Sequence, residues 1–229
     1  FILDRFAIHT IIAHCELRIA NSLKVKMKNR ITIIDYGMGN LYSVVNAFKS
    51  LGAETIVTSD PKEIAQAEKI LLPGVGAFGD CMNNLEKSGL IPVIKEALNS
   101  GKPFLGICLG MQVLFEGSEE DPGVKGLGYF KGQVRKIQTS LKIPHMGWNS
   151  LNLQSPSPLL KNSEGKYVYF VHSYFCDPED KNIITAVTDY GGAVTAAVGR
   201  GSVQAFQFHP EKSSKVGLEL LKAFKEWEP

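Results

Sequence analysis

Four short apolar runs, each separated from the next by a helix-patterned stretch, constrain this chain more than any other feature. They lie at Ile31–Asp35, Glu54–Thr58, Lys69–Leu72 and Pro103–Ile107. Between the first two, Leu41, Val44, Val45 and Phe48 recur at i, i+3, i+4 and i+7, which is one helical face. Asn40 is placed as its N-cap and Gly52 falls just past its end. Asp60-Pro61 opens a short helix, and two further helical stretches, Gly79–Ser88 and Ile91–Asn99, precede the fourth run. Strands that alternate with helices pair in parallel, because each crossover must return over the sheet, and the helices then cover both faces.

The second half changes character. Short strand candidates occur at 131–138, 146–153, 167–175, 183–189, 193–198 and 202–208, with turns such as Tyr190-Gly191-Gly192 between them. A helix carrying Val216, Leu220, Leu221 and Phe224 closes the chain. The expected fold is α/β, a doubly wound, mostly parallel sheet with helices on both faces and an antiparallel extension in the C-terminal half.

The bulk numbers suit that fold. With 229 residues, 44% of them hydrophobic and 21% charged, the chain can bury the core of one medium-sized domain. A net charge of +2 without a basic run gives no case for nucleic-acid or anionic-membrane binding. No apolar run approaches the ~20 residues that span a bilayer. Cys15, Cys81, Cys108 and Cys176 lie far apart, which suits reduced thiols in a cytoplasmic enzyme better than a disulfide scaffold or a thiolate metal site. Residues 1–27 read as an extension outside the functional fold. The apolar run Ile8–Ala13 is too short and too interrupted for a secretory signal, and Asp4 and Glu16 weigh against a transit peptide. Residues 28–229 then form one domain.

Gly106-Ile107-Cys108-Leu109-Gly110 joins an expected strand to an expected helix. This is the Gly-x-nucleophile-x-Gly elbow with cysteine in the serine position, and its small residues allow the sharp turn that projects the side chain above the sheet. A thiol at a helix N-terminus is favoured as thiolate. The elbow alone does not distinguish a nucleophile from an inert core thiol. Phe206-Gln207-Phe208-His209-Pro210-Glu211 shifts the balance. In extended chain His209 and Glu211 point to the same side, so the carboxylate can orient the imidazole while the imidazole serves Cys108 as base. Leu72-Pro73-Gly74-Val75-Gly76 ends the neighbouring strand, and the N–H groups of Val75 and Leu109 are the candidate oxyanion hole. Tyr36-Gly37-Met38-Gly39-Asn40 lacks the third glycine and the Lys-Ser/Thr pair of a phosphate loop and reads as a structural turn or contact loop.

Together these segments resemble the class I glutamine amidotransferases, whose glutaminase domains combine a Gly-x-Cys-x-Gly elbow with a His-Pro-Glu strand end. The narrower resemblance is to the glutaminase subunits of imidazole glycerol phosphate synthases. It rests on Ile34–Leu41, Leu72–Gly79, Gly106–Gln112, Glu116–Glu120, Tyr169–Tyr174 and Phe208–Ser213, and above all on Pro144-His145-Met146-Gly147-Trp148-Asn149. It covers the chain from about Lys28 onward.

The resemblance implies that Cys108 attacks the glutamine side-chain amide to form a γ-glutamyl thioester. His209 then protonates the departing ammonia and activates the hydrolytic water, with Glu211 orienting it. It further implies that Gly76, Gln112, Glu120 and the backbone of Ser173 and Tyr174 hold the glutamine. Met146, Trp148, Asn149, Tyr169 and Lys212 would face a partner. That partner is a cyclase subunit with a (β/α)₈ barrel, joined as a heterodimer, which consumes the ammonia in histidine biosynthesis. No metal or organic cofactor is implied. His145 and His172 are weaker candidates, for which a structural role is at least as good a reading. Three rival readings stand beside this one: a glutaminase subunit serving another acceptor, a non-catalytic binding subunit on the same fold, and a cysteine hydrolase without a partner.

Overall fold

The computed structural model describes residues 30–229; the extension read at 1–27 lies outside the described residues. Eight strands form the central sheet: β1 (Ile31–Ile34), β2 (Thr55–Thr58), β3 (Lys69–Gly74), β4 (Phe104–Cys108), β8 (Asn152–Leu153), β11 (Ile184–Asp189), β12 (Ala193–Arg200) and β13 (Val203–Phe206). Their order is β2-β1-β3-β4-β13-β12-β11-β8. The first five strands in that order run parallel. β12, β11 and β8 continue the sheet antiparallel. The fold is the expected doubly wound one, with its antiparallel extension in the second half.

Alternation along the strands explains the two cores. Ile34, Ile70, Leu72 and Phe104 pack on one face, under α2 (Pro61–Gln66), α3 (Phe78–Lys87) and α4 (Ile91–Asn99). Ile31, Ile33, Leu71, Leu105 and Phe206 pack on the other, under α1 (Leu41–Ser50) and α6 (Ser214–Glu226). Each helix gives the sheet a single apolar stripe: Val44 and Phe48 from α1, and Leu220, Leu221 and Phe224 from α6. Each such side chain, fully buried, is worth about 1.5–3 kcal/mol. The expected caps are present. Asn40 Oδ1 accepts from the Ser43 N–H at 3.3 Å, and Asp60 Oδ1 from the Lys62 N–H at 2.8 Å.

Two expected strands are divided. The run at 167–175 breaks at Ser173 into β9 (Tyr167–His172) and β10 (Tyr174–Pro178), which join different sheets. β9 pairs antiparallel with β7 (His145–Ser150), while β10 pairs with β6 (Gly132–Lys136). Beside β6 lies β5 (Gly117–Ser118). The run at 146–153 breaks between β7 and β8. Periodicity cannot mark such breaks, because a strand that changes partner keeps its alternation. Among the described residues no helix is long and apolar enough to cross a membrane.

Candidate active site

Strands β3 and β4 are in register at Gly74 and Cys108, so the turn leaving β3 flanks the thiol. The elbow is as tight as its glycines suggest. A Cβ on Gly110 would lie 2.0 Å from the Leu72 carbonyl oxygen, and one on Gly106 would lie 2.6 Å from that of Gly110. Cys108 itself takes φ 55°, ψ −112°, a conformation L side chains rarely adopt. The helix that follows, α5 (Leu109–Gln112), is a single turn rather than a long helix. Its dipole is correspondingly small, and what it offers the site is the unpaired N–H groups of its first turn.

His209 and Cys108 line the same cavity, and His209 Nδ1 lies 2.8 Å from Glu211 Oε1. The imidazole and the carboxylate side chain are 3% and 2% exposed. Burial alone would depress the imidazole. The hydrogen bonds and charges of Cys108 and Glu211 outweigh it and push His209 up to about 9. The remaining carboxylate oxygen, Glu211 Oε2, is buried with no hydrogen-bond partner, so the Glu211 charge is directed at the imidazole. Glu211 does not reach His209 along an extended strand, as expected from the sequence. β13 ends at Phe206, and Pro210–Lys212 form a 3₁₀ turn. The fixed φ of proline suits the first position of a helical turn as well as it suits extended chain. The turn is closed by the Ser213 hydroxyl, which donates to the His209 carbonyl at 2.6 Å.

A cavity of about 410 Å³ opens above the thiol. All five residues expected to hold glutamine line it: Gly76, Gln112, Glu120, Ser173 and Tyr174. So do Val75 and Leu109 of the expected oxyanion hole. Gly76 takes φ +99°, which favours glycine. Gln112 Nε2 donates to the Tyr174 carbonyl at 3.1 Å. Glu120 Oε2 accepts from the Phe78 N–H at 2.9 Å. Burial raises the Glu120 carboxyl; the Phe78 hydrogen bond works against that, and the charges of Asp121 and Asp80 add to it. An acidic group so placed gains by receiving a cation.

His145 and His172 form a buried, hydrogen-bonded pair. The Tyr174 carbonyl can only accept, so His172 Nδ1 carries the proton and donates to it at 2.8 Å. His172 Nε2 then accepts from His145 Nδ1 at 3.1 Å, and His145 Nε2 faces the Asn149 amide at 3.4 Å. Burial holds both rings neutral, His145 down at about 4 and His172 at about 3. For His172 the Tyr174 carbonyl works against the burial, while His145 and His209 add to it. His145 is stacked between Tyr190 and Phe170, with ring centres at 3.9 and 4.7 Å.

The residues expected at a partner face divide in two. Met146 and Trp148 are 61% and 51% exposed, and Tyr169, opposite Trp148 in register, meets its ring edge-on at 6.2 Å. Lys212 is exposed at the cavity rim. Asn149 departs from this group. Alternation along β7 places it on the His145 side, where its amide donates to the Asp189 carbonyl at 2.7 Å. Gln207 was not singled out in the sequence. It is fully buried, with Nε2 3.8 Å from Cys108 Sγ and Oε1 accepting from Gln112 Nε2 at 3.0 Å. The spacing of two residues from His209 was the available signal. Among the described residues no group of three or more His, Cys, Asp and Glu side chains is placed to hold a metal ion.

Residues 32–226 match the family model described as glutamine amidotransferase class-I. Imidazole glycerol phosphate synthase subunit HisH from Bacillus cereus (strain G9842) is 52% identical over 195 residues, covering 85% of this chain and 93% of that protein. The subunit of the same name from Methanothermobacter thermautotrophicus is 50% identical over 196 residues, covering 86% of this chain and 98% of its own. The solved structure of PurLQS from Thermotoga maritima matches with a TM-score of 0.67 at 21% identity, over 85% of this chain and 96% of that one, a likeness of fold. This chain belongs to the class-I glutamine amidotransferases and, within them, to the HisH subunits of imidazole glycerol phosphate synthase.

Proposed function

We propose that this chain hydrolyses glutamine to glutamate and ammonia through Cys108, His209 and Glu211. The ammonia passes to a cyclase subunit with a (β/α)₈ barrel, the other half of a cytoplasmic heterodimer that makes imidazole glycerol phosphate and aminoimidazole carboxamide ribotide in histidine biosynthesis. The observation that carries this reading is the placement of Cys108 and His209 in the lining of one cavity, with Glu211 bonded to the imidazole from behind. With His209 pushed up to about 9, the imidazole is protonated at neutral pH beside the nucleophile.

The steps follow from that charge state. The thiolate attacks the amide carbon, and the developing oxyanion is met by the N–H groups of Leu109 and Val75, each such donor being worth about 2.7–4 kcal/mol in the transition state. The imidazolium gives its proton to the leaving nitrogen, which departs as ammonia and leaves a thioester on Cys108. Once acylated, the sulfur no longer carries the charge that raised His209. The imidazole is then free to take a proton from water as hydroxide attacks the thioester, releasing glutamate and restoring the thiolate. Gln112 Oε1 and Glu120 suit the ammonium end of glutamine, and Gly76, Ser173 and Tyr174 bring backbone groups to its carboxylate end.

The test is Cys108→Ala, which removes the nucleophile with little change in volume. The variant complex loses glutamine-dependent product formation and keeps formation from added ammonium salt, because the cyclase chemistry lies in the partner. Glutamine hydrolysis retained by the purified variant would overturn the assignment.

A further inference from the structure

Gln207 occupies a position that Cys108, His209 and Glu211 do not explain. Its backbone N–H donates to the Ala196 carbonyl at 2.9 Å, and its side chain is wholly enclosed on the Cys108 side of the sheet end. An uncharged amide in such a place costs free energy unless its groups are paired, and its pairing has a direction that the neighbours fix. The Tyr174 carbonyl can only accept, so the group of Gln112 that meets it at 3.1 Å is the NH₂. The second hydrogen of that NH₂ points to Gln207 at 3.0 Å, so the Gln207 atom receiving it is the carbonyl oxygen. The Gln207 NH₂ is thereby turned toward Cys108 Sγ, 3.8 Å away.

We propose that Gln207 is a further catalytic residue, whose side-chain amide donates a hydrogen bond to the Cys108 sulfur and stabilises it as thiolate. The proposal rests on the reading of Cys108 as the nucleophile. An N–H donor favours an anionic sulfur over a neutral thiol, because a hydrogen bond to a charged group is roughly twice as strong as one between neutral groups. The same amide has a second effect at its other end. By taking the Gln112 NH₂, it leaves the Gln112 carbonyl for the cavity, where an ammonium group needs an acceptor.

Cys108 has other ionisable neighbours, and a test must separate Gln207 from them. His209 with Glu211 behind it lies on one side, and the charge of a thiolate at Cys108 is also felt by Tyr36, Cys81 and Cys176 in the core. His172, Lys212 and Glu120 face it across the cavity. Replacing Gln207 by an apolar residue alters no charge on any of these, so a change in the titration of the thiol reports the missing donor.

The experiment is alkylation of Cys108 by iodoacetamide across a pH series, followed by mass spectrometry of the peptide that carries it. Wild type is compared with Gln207→Leu and Gln207→Met. Met keeps the length and flexibility of the side chain and carries the measurement should the Leu variant not fold. The expected result is a half-maximal point moved upward by about one pH unit, tenfold in the thiol–thiolate equilibrium. The plateau above it rises about threefold, because a less stabilised thiolate is the stronger nucleophile. A residue that only fills space would move neither. Profiles coincident with wild type in a folded variant overturn the proposal. The readout needs no glutamine, so a wild-type protein inactive on glutamine, with the variants still shifted, would count against the proposed function and not against the bond from Gln207 to the sulfur.

Discussion

The Tyr36 hydroxyl donates a 2.8 Å hydrogen bond to the Pro73 carbonyl, tying the loop after β1 to the turn that flanks Cys108. Tyr36 is 4% exposed, and its oxygen accepts in turn from Cys81 Sγ at 3.3 Å. Burial raises both the phenol and the thiol, the latter to about 12, so each remains protonated and able to donate. The hydroxyl also stands 2.8 Å from where a Gly74 Cβ would sit. Gly74 is therefore glycine because another residue fills the space beside it.

Tyr36→Phe removes the hydroxyl, keeps the ring and leaves the Pro73 carbonyl buried without its partner. The expected loss is about 1–3 kcal/mol of stability, read as a lower urea midpoint at unchanged slope. The kcat for glutamine should fall while its KM changes little, since the turn held by Tyr36 carries the Val75 N–H rather than the groups at the ammonium end. An unchanged midpoint and kcat would show that the bond contributes nothing.

The state of His209 sets a limit on activity at high pH. Its pKa is raised, so the stabilisation from the protonated imidazole is complete below the ordinary histidine value of about 6.5. It is lost as pH climbs through about 9. Over that same window the imidazolium that protonates the leaving nitrogen disappears. Glutamine kcat/KM is expected to fall above about pH 9, together with thermal stability. Glu211→Gln retains an acceptor for Nδ1 but removes the charge, so both declines move to lower pH. A pH–rate profile of the two proteins in complex checks this, and a decline at the same pH in both would remove Glu211 from the account.

How much of this was legible in the residues depends on whether the signal was local. The parallel sheet followed from four apolar runs and the helices between them, and the flanks of Cys108 from glycines that leave no room for a Cβ. The pairing of His209 with Glu211 was anticipated between the right residues on the wrong backbone, because proline permits both an extended link and a 3₁₀ turn. Gln207 and Tyr36 were passed over. Each is meaningful only through partners 37 to 99 residues away, and the spacing of Gln207 from His209 could not show what its amide meets. His145 and His172 lie in two strands that pair with each other in a separate two-stranded sheet, so their hydrogen bond is a product of register rather than of either strand alone.

That register also separates two neighbours that the sequence placed together. Trp148 stands outward on β7 with Tyr169 against it, while Asn149 turns inward to the Asp189 carbonyl and the His145 ring. An exposed aromatic body with a polar N–H at its tip suits the buried centre of an interface. A half-buried amide bonded to its own chain gives a partner little. Trp148→Ala is therefore expected to weaken cyclase binding by at least about 2 kcal/mol, some thirtyfold in Kd, with the thermal stability of the isolated chain unchanged. Asn149→Ala should act in the reverse sense. It releases the Asp189 carbonyl and the end of the histidine pair, so the melting temperature of the isolated chain falls and cyclase affinity changes little. Titration calorimetry against the cyclase and thermal melts of the free chain measure both arms, and an Asn149 variant that melts normally but binds weakly would return that side chain to the interface.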